Sequence, residues 1–341
     1  MARLTIVIPA YNEAPNLLPL YERLSAVASG LRGKEFEFLV VDDGSTDGTP
    51  GVLAELHARD PRVKALRFSR NFGSHAACLA GLMDATGDVV AFLSADLQDP
   101  PELLPQMLAR IAEGFDVVMA VRSQREDKWL TVRLANTYNR LMRRYAIPNW
   151  PAHGADFFMI TRAVGETVIR WRQKNTSIFA QLLWVGFRQT SILYERQRRQ
   201  YGRSKWTFGR KLKLLIDSFV SFSFFPLRVI SYVGMAFSGL GLGYASFIIV
   251  KKALYGVPVQ GWASLMVVLL VVSGFQLLML GVIGEYLWRV ADEVRGAPAF
   301  VIQSRLGTAA QSRLASGGWQ AEGAASKREE PEGIVVERRL R

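Results

Sequence analysis

A chain of 341 residues, half of them apolar, can bury one large core and still hold apolar sequence in reserve. Its net charge of +12 is concentrated, with nine Lys/Arg and one acid, Glu195, between Arg188 and Lys213. Such a block suits a solvated face, a nucleic acid or an anionic membrane. The single cysteine, Cys78, excludes an internal disulfide framework and fits a reducing compartment, and three scattered histidines argue against a Cys/His zinc site.

In chain order, Leu4 to Ile8 reads as a buried strand ended by Pro9. It is too short for a signal-peptide core and runs straight into Tyr11, Asn12 and Glu13, so the domain it opens is expected to stay in the cytoplasm. A helix is predicted from Glu13-Ala14-Pro15 to about Ala28, a second strand from Phe36 to Val41, and a helix from Thr49 to Ala58. Val63 to Phe68 is a third strand, Gly73 to Ala85 a helix, and the apolar run from Asp88 to Leu93 a fourth strand. Strands and helices alternating at this spacing predict a mostly parallel sheet covered on both faces. Ligands of such sheets sit beyond the carboxyl ends of the strands. Pro9 to Glu13, Asp42 to Asp47 and Ser94 to Gln98 all fall there.

The last of these stretches, Ser94-Ala-Asp-Leu-Gln-Asp-Pro-Pro-Glu102, ends a buried strand and presents oxygen ligands at once. Read as extended, Asp96 and Gln98 point to one side, which suits a hard divalent cation and its phosphates. Pro100 and Pro101 then stop the strand and start a helix to Ile111, where Asp99 and Glu102 complement the dipole. Asp42 to Gly48 looks like the start of an EF-hand loop, but counting from Asp43 the twelfth position is Ala54, where a bidentate Glu is required. Neither a P-loop ending nor a G-x-G-x-x-G signature is present in that segment.

Further on, Asp116 to Val121 is a strand that delivers Arg122, followed by a basic helical stretch that includes Arg133, Arg140, Arg143 and Arg144. Asp156 to Ile160 is another strand and Arg162 to Gly186 one or two helices, before the basic block with Arg199-Gln-Tyr-Gly-Arg-Ser-Lys-Trp206. Leu227 to Val250 carries only Arg228, and Trp262 to Gly284 carries no charge. At about 1.5 Å per residue each crosses a hydrocarbon core of roughly 30 Å. The short connection makes them a hairpin. Arg210, Lys211, Lys213, Arg228, Arg289 and Arg295 flank one side against Lys251 and Lys252 on the other, so both ends are expected in the cytoplasm. The expected organisation is therefore a domain over 1–205, an interfacial segment over 206–226, and spans over 227–250 and 262–288. An outer loop over 251–261 joins the spans, and a mostly disordered tail runs over 289–341.

Val7-Ile-Pro-Ala-Tyr-Asn-Glu13, Val41-Asp-Asp-Gly-Ser-Thr-Asp47 and Ala95-Asp-Leu-Gln-Asp-Pro-Pro-Glu102 resemble the motifs of family 2 glycosyltransferases with the GT-A fold. Arg199-x-x-Gly-x-Ser-Lys205 and the C-terminal hairpin narrow the resemblance to polyprenyl-phosphate glycosyltransferases, from about Leu4 to Arg295. That group includes dolichol-phosphate mannose synthases and bacterial undecaprenyl-phosphate sugar transferases.

The resemblance implies that Pro9, Tyr11, Glu13, Val41, Asp43 and Ala95 bind the nucleotide of a sugar donor. It implies Mg²⁺ or Mn²⁺ on Asp96 and Gln98. Arg122, Arg199 and Lys205 would form the basic catalytic set around the phosphates with Asp96, and Arg122, Arg133 and Thr137 would meet the acceptor phosphate. The chain departs from the family at Ser94, where an Asp is usual. One hard ligand fewer weakens metal affinity or shifts its load to Asp96 and donor oxygens.

No base is needed, because a phosphate monoester carries about −1.5 to −2 charges and is already nucleophilic. The implied reaction is inverting transfer to undecaprenyl phosphate on the cytoplasmic face of the inner membrane, with UDP-glucose the first donor expected and GDP-mannose the second. A different lipid or polysaccharide acceptor, and a catalytically weak membrane scaffold marked by Ser94, stay open as alternatives. No Gln-x-x-Arg-Trp motif of polymer-secreting synthases is present. A nucleic-acid partner is disfavoured, because the basic block abuts membrane sequence. A homo-oligomer is compatible with the sequence.

Overall fold

The computed structural model describes residues 3–123, 129–151, 155–171, 177–197, 222–223, 225–255 and 261–308. Its centre is one eight-stranded sheet made of β1 (Arg3–Ala10), β2 (Glu35–Asp42), β3 (Val63–Phe68), β4 (Val89–Phe92), β5 (Val117–Arg122), β6 (Ala155–Thr161), β7 (Gln189–Tyr194) and β8 (Ile302–Leu306). The strand order is β7-β5-β6-β4-β1-β2-β3-β8. β1, β2, β3 and β4 run parallel, while β6 lies antiparallel between β4 and β5. β5 therefore points the same way as β4, and β7 is parallel to β5. All six of these strands end on one edge, as the motifs required.

Both faces of the sheet are covered. Helices α1 (Ala14–Gly30), α2 (Thr49–Arg59) and α4 (Leu104–Ala112, entered through a 3₁₀ turn at Pro101–Leu103) bury Leu17, Leu20, Leu24, Leu53, Leu56 and Met107 on one side. On the other side α3 (Ser74–Asp84), α6 (Arg162–Trp171) and α7 (Ile178–Trp184) bury Cys78, Leu82, Val164, Val168 and Leu183. Close approach of α3 needs Gly81, because a Cβ there would sit 2.2 Å from Val7 Cγ1. Strand residues alternate between the two cores, Ile6 and Ile8 facing one and Val7 the other.

The basic helix expected after Arg122 is α5 (Trp129–Tyr145), and its last residue stacks on Phe225 with ring centroids 4.0 Å apart. Phe225 opens α8 (Phe225–Tyr255), which is followed by α9 (Trp262–Val294). Within them the apolar windows Leu227–Ile248 and Val271–Val294 are long enough to cross a membrane and are bare of covering protein. The two helices meet where Phe237 and Phe275 rings lie 4.6 Å apart, and at Gly234, where a Cβ would meet the methyl of Met279. Most of the expected interfacial segment, 206–221, lies outside the described residues.

Three expectations change. Gln189–Tyr194, taken with the basic block, is strand β7, a half-exposed strand that buries only Ile192 and Tyr194 and so carries a weak apolar signal. Residues 94–98 form a turn where an extended end was expected. The expected tail begins too early, because α9 continues to Val294 and the chain then returns to the sheet as β8, antiparallel to β3. Composition does not reveal this last strand, since its stability comes from the partner. Phe300 stacks on Phe68 at 5.2 Å, Ser69 N–H donates to Val301 O at 3.0 Å, and Arg305 pairs with Asp84. Residues 309–341 lie outside the described residues.

At the opposite, amino edge Glu37 is buried among Thr5, Lys64 and Thr86. Burial alone raises its pKa, but hydrogen bonds from Lys64 Nζ at 2.6 Å, Thr5 Oγ1 and Thr86 N–H outweigh it and hold the carboxyl below its ordinary value. A depressed folded pKa stabilises above the unfolded value, about 4.3, and that contribution is lost as pH falls through the folded pKa. Glu37→Gln should cost about 1–3 kcal/mol at neutral pH. Thermal unfolding from pH 7 to 3 should show the wild-type advantage shrinking below pH ~4. A constant difference across that range would contradict it.

Candidate active site

The ends of β1, β2 and β3 are laced together before any ligand binds. Asp43 N–H donates to Ala10 O at 2.8 Å. Its carboxylate accepts Phe72 N–H at 2.6 Å on Oδ1 and Gly73 N–H at 2.9 Å on Oδ2. Asp42 Oδ1 accepts Ser45 N–H, Asn12 N–H donates to Ser45 Oγ, and Asn12 Oδ1 accepts Thr46 N–H, each at 2.8 Å. Asn12 pays for this geometry with a left-handed backbone, φ 52°. Gly44, at φ 69°, is the one residue type that fits its position, because a Cβ would lie 2.6 Å from the Arg70 carbonyl carbon.

The predicted donor residues take two kinds of place. Pro9 and Tyr11 are partly exposed on the edge, while Val41 and Ala95 are buried beneath it. Glu13 is buried, with Asn16 Nδ2–H donating to its Oε2 at 2.5 Å and its own N–H donating to Thr49 Oγ1 at 3.1 Å. Asp47 accepts Thr49 N–H and Ala14 N–H. Burial raises the Asp47 pKa, but its hydrogen bonds with Thr49 and Ala14 prevail and keep it below the usual carboxylate range. Much of the acidity at these strand ends thus organises backbone.

The β4 end differs from its expected form for a definable reason. Leu97 adopts φ 59° while burying its side chain, and Gln98 N–H donates to Asp96 Oδ1 at 3.2 Å. This Asx-type turn brings residues 96 and 98 round a corner rather than along a strand. Gln98 is also tied to the segment after β7, with Gln197 N–H donating to Gln98 O at 2.9 Å and Gln98 Nε2–H to Gln197 O at 3.3 Å. Arg196, on that segment, lies 3.9 Å from Asp96 and 3.9 Å from Asp99. Tyr194 O–H donates to fully buried Asp99 at 2.5 Å. Asp99 therefore fastens β7 to the turn rather than only complementing a helix dipole.

Asp96 and Gln98 suit a six-coordinate divalent ion that keeps several ligands from its substrate, because they supply one carboxylate and one amide oxygen. No group of three or more His, Cys, Asp or Glu side chains with metal-binding geometry occurs among the described residues. Such an ion would draw its remaining oxygens from phosphate and water.

Arg122 ends β5 opposite Tyr194 in the register, on the same sheet edge. Arg133 and Thr137 lie one turn apart on α5, both exposed, with Thr137 O–H donating to Arg133 O at 3.0 Å. Arg199 and Lys205 lie outside the described residues, two and eight positions beyond Gln197. Two groups escaped the sequence reading. One is the Arg70–Gly73 loop, which a count of strand ends would have included, since β3 ends on the same edge. The other is Arg196, hidden because β7 was not read as a strand.

The sequence matches the model of glycosyl transferase family 2 over residues 5–168 and that of the GtrB C-terminal hairpin over 225–290. It is 38% identical over 305 residues to the uncharacterized glycosyltransferase sll0501 of Synechocystis, covering 89% of this chain and 96% of that one. It is 33% identical over 304 residues to the bactoprenol glucosyl transferase of Shigella phage SfX, covering 89% and 99%. Mannosyl-3-phosphoglycerate synthase from Rubrobacter xylanophilus aligns with a TM-score of 0.46 at 20% identity, over 70% of this chain and 75% of that one. With a family 2 domain, two bare apolar helices and relatives matched along nearly their whole length, the chain belongs to the membrane-associated polyprenyl-phosphate glycosyltransferases of family 2.

Proposed function

We propose that this enzyme transfers glucose from UDP-glucose to the phosphate of undecaprenyl phosphate, with inversion and with Mg²⁺ or Mn²⁺ bound to the donor. The observation that carries the reading is a cluster of carboxylates and arginines at the carboxyl edge of a mostly parallel sheet, in a chain that also holds two helices long and apolar enough to cross a membrane. The glucosyl group and the bactoprenol acceptor follow the near full-length relatives of that description. An oxygen of the lipid phosphate attacks the anomeric carbon, the bond from that carbon to the donor diphosphate breaks, and UDP leaves. Since the nucleophile is already ionised, the protein has to orient two anions and balance their charge.

Asp96 and Gln98 would hold the metal, which supplies charge neutralisation to the leaving diphosphate. Arg196, between Asp96 and Asp99, limits the negative charge of the loop before a donor arrives. Arg122 stands at the same edge for phosphate contact, joined in this reading by Arg199 and Lys205. Arg133 and Thr137 serve the acceptor, because α5 is the domain helix that stacks on the start of α8. The direct test incubates purified enzyme with undecaprenyl phosphate and a panel of sugar nucleotides. Lipid-linked glucose from UDP-glucose is expected, and product only from GDP-mannose would change the donor.

The metal assignment predicts that Asp96→Asn abolishes turnover in a folded protein, and that Ser94→Asp tightens the apparent metal affinity. Full activity in excess EDTA would remove the ion from the mechanism. For the acceptor, a charge-assisted arginine–phosphate contact contributes on the order of 1.5–3 kcal/mol, so Arg133→Ala should lose roughly 10- to 150-fold in kcat/KM for the lipid. Sugar-nucleotide binding by calorimetry should stay unchanged. Lost donor affinity with normal lipid kinetics would assign Arg133 to the other substrate.

The orientation proposed has the catalytic domain and both flanks of the hairpin in the cytoplasm, with the turn between α8 and α9 across the inner membrane. Charge asymmetry supports it, as does the pairing of β8 with β3, which gives the chain before α8 and after α9 a shared sheet. Cys78 is buried, and burial pushes its thiol up to about 12, so it stays silent to thiol reagents. In intact cells an impermeant maleimide should therefore label Gly261→Cys and spare Ser29→Cys in the domain. The reverse pattern would invert the topology.

A further inference from the structure

The chain leaves α9 and reaches the sheet through Phe300, and the Phe300 ring touches the architecture of the site rather than only the sheet edge. It lies nearly parallel to Phe68, at 5.2 Å and 13°. Phe68 is fully buried at the end of β3 and meets Phe72 edge-on, at 5.6 Å and 88°. Phe72 N–H and the next amide, Gly73 N–H, are the two donors that Asp43 accepts. Arg70 in the same loop lies over the Phe72 ring at 4.1 Å, and its backbone presses on Gly44. Beside this aromatic file, Ser69 N–H donates to Val301 O. The register between β3 and β8 shifts at Arg67/Phe68, where the chain turns from strand into this loop.

We infer that Phe300 is a positioning residue for the nucleotide-sugar site, setting the 69–73 loop through Phe68 and Phe72, so that the return from the membrane hairpin helps to build the donor pocket. This rests on the reading of that edge as the donor site. Covering an edge strand requires only backbone pairing and a polar outer face. A three-ring file from the covering segment to a loop clamped by Asp43 goes beyond that requirement. Offset and edge-on aromatic pairs contribute beyond their buried area, so losing the first pair should loosen the loop without unfolding the sheet.

The test uses the full chain in detergent, with amide hydrogen exchange and calorimetric binding of UDP with Mg²⁺. Phe300→Ala should speed exchange at Phe72 and Gly73 by about three- to tenfold, the range an aromatic pair supplies, and weaken UDP binding by a similar factor. Phe300→Leu keeps apolar volume without a ring and should do the same, which guards against a variant that fails to fold. Phe300→Tyr should restore both readouts, and Ile6 and Leu39 should stay protected throughout. Arg305→Ala breaks the ion pair between β8 and Asp84 at the end of α3 and should leave the loop unchanged. Unchanged loop exchange in Phe300→Ala and Phe300→Leu overturns the inference. So does an equal effect in Arg305→Ala, or a looser loop with UDP affinity intact. If the wild-type chain itself fails to bind UDP, the donor reading is at fault, and the exchange comparison still decides the role of Phe300.

Discussion

Asp43 is the constraint on which the candidate donor edge depends. Its N–H reaches the end of β1 and its two carboxylate oxygens hold the amides after β3, so one residue at the end of β2 ties three strand ends together. Charge-assisted hydrogen bonds to backbone N–H are among the stronger polar contacts in a protein, and here they are shielded, since Asp43 is almost fully buried. The left-handed backbone at Asn12 and the glycine at 44 are what this closeness costs. A loop so held is organised before the ligand arrives, which lowers the ordering cost of binding a flexible diphosphate.

Beyond that lacing, the site faces a charge problem. On the proposed function, two phosphate-bearing substrates have to approach one another at an edge that already buries Asp42, Asp43, Asp96 and Asp99. The chain answers by turning most of these carboxylates toward its own amides, hydroxyls and arginines. Asp42 faces Ser45 and Arg67, Asp43 the 72–73 amides, and Asp99 Tyr194 and Arg196. Asp96 accepts Gln98 N–H and lies 3.9 Å from Arg196, and on the proposed function it is the acid that a divalent cation would join. The substitution of Ser94 for the usual acid fits the same economy, since one carboxylate fewer leaves less repulsion for arginines to offset.

The alternation of strands and helices from Leu4 to Leu93 was legible because the strands are buried almost throughout and read as mostly apolar runs, interrupted in β2 by Glu37 and in β3 by Lys64 and Arg67. The membrane helices were legible for the opposite reason, as long apolar runs whose windows are not buried among the described residues. What escaped lies between those extremes. β7 buries alternate residues and its chemistry-bearing neighbour Arg196 looked like one more cation in a basic block. The turn at Leu97 depends on a buried leucine in a backbone region that leucine seldom adopts, enforced by tertiary packing and by the Asp96 side chain. β8 is defined by its partner strand, and no local pattern in Ile302–Leu306 announces it. Candidate site residues could be named where oxygen-bearing side chains sit at strand ends. Their division into ligand-facing and backbone-holding groups was not legible, because it depends on which amides lie opposite.

The order of strands in the sheet gives the membrane anchor its mechanical meaning. The hairpin sits in sequence between β7 and β8, and these two strands form opposite outer edges of the sheet. The strand that precedes the hairpin in sequence thus lies at one flank of the sheet, and the strand that follows it lies at the other. A domain hung from a single linker samples many orientations, and each reorientation dilutes the encounter of donor site and lipid phosphate. The stacking of Tyr145 on Phe225 before the hairpin and the pairing of β8 with β3 after it give the domain two ties to the helices, which restrict that rotation. On the proposed function, orientation matters more here than in a soluble transferase, because the acceptor phosphate would be confined to the membrane plane and its attacking oxygen would have to meet the anomeric carbon in line with the departing diphosphate. Insertion of the anchor into the sheet order would then tie the orientation of the candidate site to the membrane.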